Sequence, residues 1–414
     1  MSVALLNCCN RVNGVEVDHD FDYINRRTGQ LQMAALDQGA LHSLNVGNLH
    51  HHESALASML EKWWAVNYPS QDDVASVVID NARSMCRHIT DEGDMVHSAW
   101  RGPNGKDPLK ALLGEENSGQ MAEKLCYLAN QVGALYGQES TIVEATAPAK
   151  IFGDIHGHFR DMLLLLHDFG FPTGHGPTYI FNGDWVDRGS HQLEVVALVL
   201  ALKLAYPNQI VLLRGNHEER ELNQHMGEKG FYSHCQQRLG GNGDKVFDRM
   251  HGCFEVLPLG CVVADRAFVV HGGIGDGAWD ISSIYHVPRP LGTSALESNK
   301  VLYNMLWSDP LAEDGCNGFG VHSSPRDANR DLIKSFGQDV SITFLERNQL
   351  DMIIRSHEVR PGGRGYEVMH GGRCIRVFSA RDYEDMHNDA AILSLVPEDG
   401  LLVVRPQVLF STTR

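Results

Sequence analysis

Apolar residues along this chain follow two rhythms, and the change falls near residue 140. Residues 1 to about 50 are polar, bear Asn, Gln and His, and hold no sustained period, which predicts partial disorder. From Glu53 to His88 the stretches SALASMLEKWWAVN and DDVASVVIDNARSMCRHI repeat apolar positions at helical spacing, with Asp72 as an expected N-cap. WRGPNGKDP, residues 100 to 108, predicts a Gly/Pro linker, and GQMAEKLCYLANQVGALYG, after Ser118, predicts a helix ending at its glycine. No period of about 20 to 50 residues recurs in this third, so a helical-repeat array is not expected. Beyond Pro148 the rhythm becomes strand, polar loop, helix: AKIF, TYIF, IVLL, AFVV and DMII read as short strands, with HQLEVVALVLALKLAYP among the helices between them. Two parts are expected: an N-terminal extension over 1–110, partly disordered and then helical, and a larger domain over 111–414.

Composition narrows the class. An apolar content of 43% over 414 residues is ample for a packed core. The longest apolar runs, VVALVLAL (195–202) and MLLLLH (162–167), fall short of the roughly 18 residues a membrane helix requires, so no membrane span is expected. The opening MSVALLNCCN has no basic stretch ahead of a sustained apolar core, which argues against a secretory signal. Nine cysteines without framework spacing read as reduced thiols, so a cytoplasmic protein is expected, with the nucleus as an alternative. The net charge is −17 and no Lys/Arg cluster is seen, so nucleic acid is not an expected partner. An acidic whole says little about a site, because a bound dication inverts the local field.

The strands matter for where they stop. AKIF runs into GDIHG (153–157), TYIF into NGDWVDRG, IVLLR into GNHEER, AFVV into HGG (271–273) and DMIIRS into His357. Ligands in α/β sheets gather at the carboxyl ends of strands, so Asp154, His156, Asp184, Asn216, His271 and His357 are expected in one crevice. Carboxylates crowded as in FNGDWVDRG repel one another unless a cation lies between them. Oxygen and imidazole donors without thiolate suit manganese, iron or zinc rather than a calcium cage. Six ligands are too many for one ion with open positions, but they suit two ions sharing Asp184. Any single Gly-Asp pair could be a plain turn, and a lone histidine a core residue. It is the ordered set, each after an apolar strand, that points to a metal centre. HHH at 50–52 lacks that context and reads as a solvated loop.

Taken together, GDIHG, GDWVDRG, GNHE, HGG and RSHE resemble the signature of the phosphoprotein phosphatase family, the metal-dependent serine/threonine phosphatases, over about residues 115 to 410. IIRSHEV, YEVMHGGRC and VFSARDY are most similar to the type 5 branch and its relatives bearing EF-hands, although neither a tetratricopeptide array nor an EF-hand loop is visible. The resemblance implies a mixed α/β (α+β) fold, the calcineurin-like metallophosphatase sandwich of two mixed β-sheets flanked by helices. It implies one metal ion held by Asp154, His156 and Asp184, and a second by Asp184, Asn216, His271 and His357. The implied activity is hydrolysis of phosphoserine and phosphothreonine in phosphoprotein substrates, by direct attack of a dimetal-bound hydroxide. GDxHG and GNHE also serve metallophosphoesterases of small phosphate esters and dinucleotide polyphosphates, which is the alternative.

No CxxxxxR loop or Ser/His/Asp set is seen, so a phosphoenzyme is not expected. The leaving alkoxide needs a proton, and His217 is placed by GNHE to give it. Asp187 resembles the family's partner for this histidine and would raise its pKa. Phosphate oxygens call for guanidinium donors, of which Arg188 is the first. The family's second arginine stands six residues before an FG, which points to Arg330 ahead of Phe336, with Arg326 in SSPRD as the competitor. Tyr383 in SARDYED matches the tyrosine of the family's SAPNY loop and would line the cleft. In that loop Arg381 and Asp382 replace Pro-Asn, and Glu384 adds a carboxylate expected to weaken binding of acidic substrates. Trp63 and Trp64 could cover an apolar groove or pack a small core of their own, so residues 1–110 could serve a regulatory partner or autoinhibition.

Overall fold

The computed structural model describes residues 11–12, 15–16, 23–24, 74–91, 95, 100–312, 318–327 and 330–414. The expectations for Trp63, Trp64, Asp72, HHH at 50–52 and most of the polar first 50 residues lie outside them.

Helix α1 (Val74–Asp91) buries Val78, Ile79, Ala82, Met85 and Cys86 along one face, the stripe that i, i+3 and i+4 spacing produces. α2 (Pro108–Leu113) starts at Asp107, whose carboxylate accepts from Lys110 N at 3.0 Å. α3 (Ser118–Tyr136) starts at Asn117, which accepts from the amides of Gly119 and Gln120, and its C-cap is Gly137. The stretch expected as a linker is anchored instead. Trp100 is buried, with ring centroids 6.3 Å from Phe159 and 5.3 Å from His191, and Pro103–Gly105 forms a single 3-10 turn. Helix α1 is also tied to the larger domain: Cys86 Sγ donates to Leu163 O at 3.5 Å and Arg83 Nη2 to Pro172 O at 3.0 Å. Accordingly Ala75–Arg414 pack as one unit.

The strand and helix order then runs β1 (Ile142–Ala145), β2 (Ala149–Phe152), α4 (Phe159–Phe169), β3 (Thr178–Phe181), α5 (Gln192–Ala205), β4 (Ile210–Leu212), α6 (Arg220–His225), α7 (Phe231–Leu239), α8 (Gly243–Phe254), β5 (Gly260–Val263) and β6 (Ala267–Val270). It continues with α9 (Thr293–Ser298), α10 (Lys300–Trp307), β7 (Asp309–Pro310), β8 (Val321–Ser323), β9 (Lys334–Phe336), α11 (Gln338–Asn348), β10 (Met352–Arg355), β11 (Tyr366–Met369), β12 (Cys374–Val377), β13 (Ala390–Glu398) and β14 (Leu401–Leu409).

Two mixed sheets face each other. One has the order β14-β13-β2-β3-β4, with β2, β3 and β4 parallel; the two-residue strands Val15–Glu16 and Tyr23–Ile24 pair onto β14. The other has the order β11-β12-β10-β6-β5-β1. Alternate residues from both sheets, among them Ile151, Ile180, Val269, Ile354, Ile375 and Leu393, form the apolar layer between them. The outer face of the second sheet packs Phe268 and Ile353 against Leu306, Phe344 and their neighbours. A bridge between Asp154 and Phe378 links the sheets where β2 and β12 end. All five apolar runs singled out from the sequence are strands, and all five end on the same side of this sandwich, around one cluster of polar side chains. No helix among the described residues is long and apolar enough to cross a membrane.

Candidate functional site

The strand ends are clamped before any functional group is considered. Asn182, at the end of β3, donates from Nδ2 to Val270 O and Ser356 Oγ, both at 2.9 Å, which joins β3 to β6 and β10. Glu218 is fully buried and accepts from the amides of Asp184 (2.8 Å), Trp185 (2.9 Å) and Gly215 (2.9 Å), pinning the loop after β3 to the loop after β4. That approach requires glycine at 215, because a Cβ there would lie 2.3 Å from Asp184 Oδ1. His156, Asp184, Asp187, Arg188 and His357 carry φ of 44°, 53°, 65°, 73° and 73°. Side chains avoid that backbone region, at a cost of about 1–3 kcal/mol each, and such strain clusters where a side chain must be aimed.

These loops surround a cavity of about 250 Å³ lined by Asp154, His156, Asp184, Asn216, His217 and His357 on its polar side. His156 Nε2 lies 3.4 Å from Asp184 Oδ2 and 3.9 Å from Asp154 Oδ2; His271 Nε2 lies 3.3 Å from Asp184 Oδ1 and 2.9 Å from Asn216 Oδ1. Potential ligand atoms of Asp184, His271 and His357 fall within 4.8 Å of one another, as do those of His156, Asp184 and His217. Asp184 is common to both groups. The structure thus brings together all six residues expected as ligands.

The donor atoms suit cations. His156 Nδ1 lies 2.7 Å from Val186 O, and His271 Nδ1 lies 2.7 Å from Asn182 O. A carbonyl only accepts, so each Nδ1 carries a proton, which leaves Nε2 as the atom each ring can offer to an ion once that nitrogen is unprotonated. Nε2 of His357 is buried without a hydrogen-bond partner, as a ligand atom lacking its ion would be. Burial holds His156 and His357 well below the ordinary histidine range, so both rings are neutral. Burial, with the Asp184 charge added, pushes Asp154 up; Asp184 is held well below the usual carboxylate range despite its burial, because His271 and His217 stand beside it. Burial would also depress His271, yet the Asp184 charge outweighs it and lifts the ring to about 9. Two acids with a charged imidazole between them are an arrangement that divalent ions can take over, displacing the proton.

His217 and Asp187 form a separate pair. His217 Nδ1 donates to Asp187 Oδ2 at 2.6 Å, while Asp187 also accepts from Asn223 Nδ2 (2.8 Å) and Phe231 N (2.7 Å). Burial alone would lower the His217 pKa, but Asp184 and the Asp187 hydrogen bond raise it. Asn223 also donates to His217 O at 2.7 Å, so the histidine is oriented from two sides. Glu218 and Asn223 escaped the sequence reading; the only signal was their place in and just after GNHEER.

Arg188 lines the cavity and its Nε is buried without an acceptor. Arg330 does not join it. Its guanidinium is taken by Asp327 (3.2 Å), Glu297 (2.7 Å) and Tyr303 Oη (3.0 Å), which draw it to the flank of the domain. The competitor Arg326 lines the cavity, held by Asp309 at 2.5 Å and lying 3.5 Å from His357 O. Tyr383 also lines it, its ring stacked on His156 at 5.2 Å. The wall opposite is apolar, from Leu222, Met226, Trp307, Val359 and Phe378.

The two departures in the Tyr383 loop have structural work. Arg381 donates from N and Nε to the buried Asp161, at 3.0 and 2.8 Å. Asp382 accepts from Ser411 Oγ, from Thr412 N and Oγ1 (both 2.8 Å) and from Thr413 Oγ1 (2.5 Å), while Arg414 pairs with Asp389 at 2.8 and 3.0 Å. Residues 411–414 therefore strap this loop in place. Asp382→Ala strands these donors, so it is expected to destabilise the protein by about 1–3 kcal/mol in chemical denaturation; an unchanged midpoint would mean the strap contributes nothing.

Residues 147–361 match the family described as calcineurin-like phosphoesterases. Among curated proteins, serine/threonine-protein phosphatase 5 of Rattus norvegicus is 39% identical over 70% of this chain and 52% of its own length. Serine/threonine-protein phosphatase BSL2 of Arabidopsis thaliana is 34% identical over 68% of this chain and 27% of its own length. The chain thus spans between about a quarter and about half of these relatives. A solved protein serine/threonine phosphatase from Saccharomyces cerevisiae, described as similar to human phosphatase PP5, is 30% identical, covers 71% of this chain and 90% of its own, and superposes with a TM-score of 0.60.

Proposed function

The chain belongs to the calcineurin-like phosphoesterase family, within its phosphoprotein phosphatase branch, and on that premise we propose that it hydrolyses phosphoserine and phosphothreonine in proteins. The observation that carries the reading is the His217–Asp187 pair, 2.6 Å apart, set beside two groups of ligand atoms that share Asp184. Asp154, His156 and Asp184 would hold one metal ion, and Asp184, Asn216, His271 and His357 the other; manganese is the expected ion in assay, with iron or zinc as alternatives. When bound, such ions supply an activated water and neutralise phosphoryl charge. The chain's own residues do the rest. Arg188 and Arg326 orient the phosphate through guanidinium hydrogen bonds, Tyr383 closes one side, and the apolar wall from Leu222 to Phe378 excludes water from the reacting face. His217, kept protonated by Asp187, gives its Nε2 proton to the departing seryl or threonyl oxygen. A reducing cytoplasmic location suits Cys86, Cys126, Cys235, Cys253, Cys261 and Cys374, which are buried thiols rather than disulfides.

With manganese added, the protein is expected to release phosphate from a phosphoserine peptide and to lose that activity on chelation, while leaving a dinucleotide polyphosphate intact. Cleavage of the dinucleotide with no turnover of the peptide would favour the small-phosphate reading instead.

A further inference from the structure

Beside the cleft, Glu384 divides its carboxylate between two cations. Oε1 accepts from Lys229 Nζ at 2.8 Å, and Oε2 lies 3.5 Å from Arg188 Nη1. The side chain is 29% exposed, while that of Lys229 is 60% exposed, so the glutamate stands at the rim with the lysine outside it. The loop that carries it is fixed: Tyr383 N donates to Asn388 Oδ1 at 2.9 Å, and Asp382 is strapped by residues 411–414. Asp382, Glu384 and Asp385 all adopt positive φ, 50°, 45° and 63°, a turn that sets Glu384 on the Arg188 side of the cleft. Burial would raise the Glu384 pKa, but the Lys229 hydrogen bond and the Arg188 charge hold it below the usual range, so it is anionic at neutral pH.

We infer that Glu384 is a specificity-determining residue: it selects phosphorylated side chains flanked by basic residues over those flanked by acidic ones. The inference rests on the phosphatase reading. A phosphate dianion reaching Arg188 carries more charge and can offer two oxygens, whereas Glu384 has one of its two held by Lys229, so the phosphate takes Nη1 from it. Lys229 stays on Oε1, but Oε2 then loses its partner while still half-buried. A Lys or Arg beside the phosphorylated residue restores a counter-charge there; an Asp or Glu adds a like charge at the same place.

The test compares two phosphoserine peptides that differ only in an adjacent Arg or Asp, with p-nitrophenyl phosphate as a substrate that has no flank, using the full chain loaded with manganese at low salt. The parent is expected to favour the Arg peptide about tenfold in kcat/KM, chiefly through KM, and the preference should shrink as salt is raised. Glu384→Gln should cut it to about twofold, and Lys229→Gln, which frees Oε1 as well, should widen it. A parent with no preference, or a Glu384→Gln protein that still cleaves p-nitrophenyl phosphate with the parent's peptide ratio, overturns the inference. Cleavage of p-nitrophenyl phosphate with neither peptide touched sinks the phosphatase reading and this inference with it.

Discussion

Asp184→Asn is expected to lower kcat on a phosphoserine peptide by about a thousandfold and to leave the purified protein with less bound metal. Asp184 is common to both groups of ligand atoms, so losing its charge weakens both at once. The substitution is nearly isosteric, and an amide oxygen at Oδ1 can still accept from His217 N, the contact now made at 2.9 Å. It also relieves Asp154, whose pKa is raised first by burial and then by the Asp184 charge. Asp184 is also the charge that His271 and His217 pair with, so without metal the variant should still unfold cooperatively but at a denaturant concentration somewhat below the parent's. Metal analysis, single-substrate kinetics and denaturation together separate this from misfolding. A variant that keeps the parent's metal content and turnover would remove Asp184 from its bridging role.

Much of this site was legible in the sequence because strand chemistry and ligand chemistry leave separate marks on the same residues. Runs such as TYIF and AFVV are buried at every position, as strands covered on both faces must be, and the ligands Asp184 and His271 follow within three residues of their ends. What the sequence could not carry was competition among side chains far apart along the chain. Arg330 satisfies a spacing rule, but Glu297, Asp327 and Tyr303 pull it away, whereas Arg326 is steered to the cleft by Asp309. The same holds for the expected linker at 100–108, where a buried tryptophan against Phe159 and His191 overrides the glycines and prolines around it. Asp382 reads as a departure from a motif until Ser411, Thr412 and Thr413 are seen to converge on it from the other end of the domain. Glu218 is hidden for a related reason: its partners are backbone amides, which no residue pattern reveals.

His217→Ala is the second large effect, and it differs from the first in kind. Removing a proton donor costs typically about a hundredfold to ten-thousandfold when the leaving group is a poor one, as a seryl alkoxide is. The loss should therefore fall on kcat for the phosphoserine peptide, with KM little changed. On p-nitrophenyl phosphate, whose leaving group is stable as an anion, the same variant should be impaired far less. Asp187→Asn should reproduce the pattern in milder form, about tenfold to a hundredfold, since His217 keeps its place through Asn223 but loses the charge that keeps it protonated. His217 also lies within ligand distance of His156 and Asp184, so geometry admits a competing role as a metal ligand. The two roles part on metal content: as proton donor, His217→Ala retains the parent's metal and loses turnover selectively on the poor leaving group. As ligand, it loses metal and fails equally on both substrates. The 2.6 Å bond from Nδ1 to Asp187 orients Nε2 in either role, but His156 and His271 set Nδ1 against a carbonyl where His217 has a carboxylate, and that charge stabilises the imidazolium a proton donor must be.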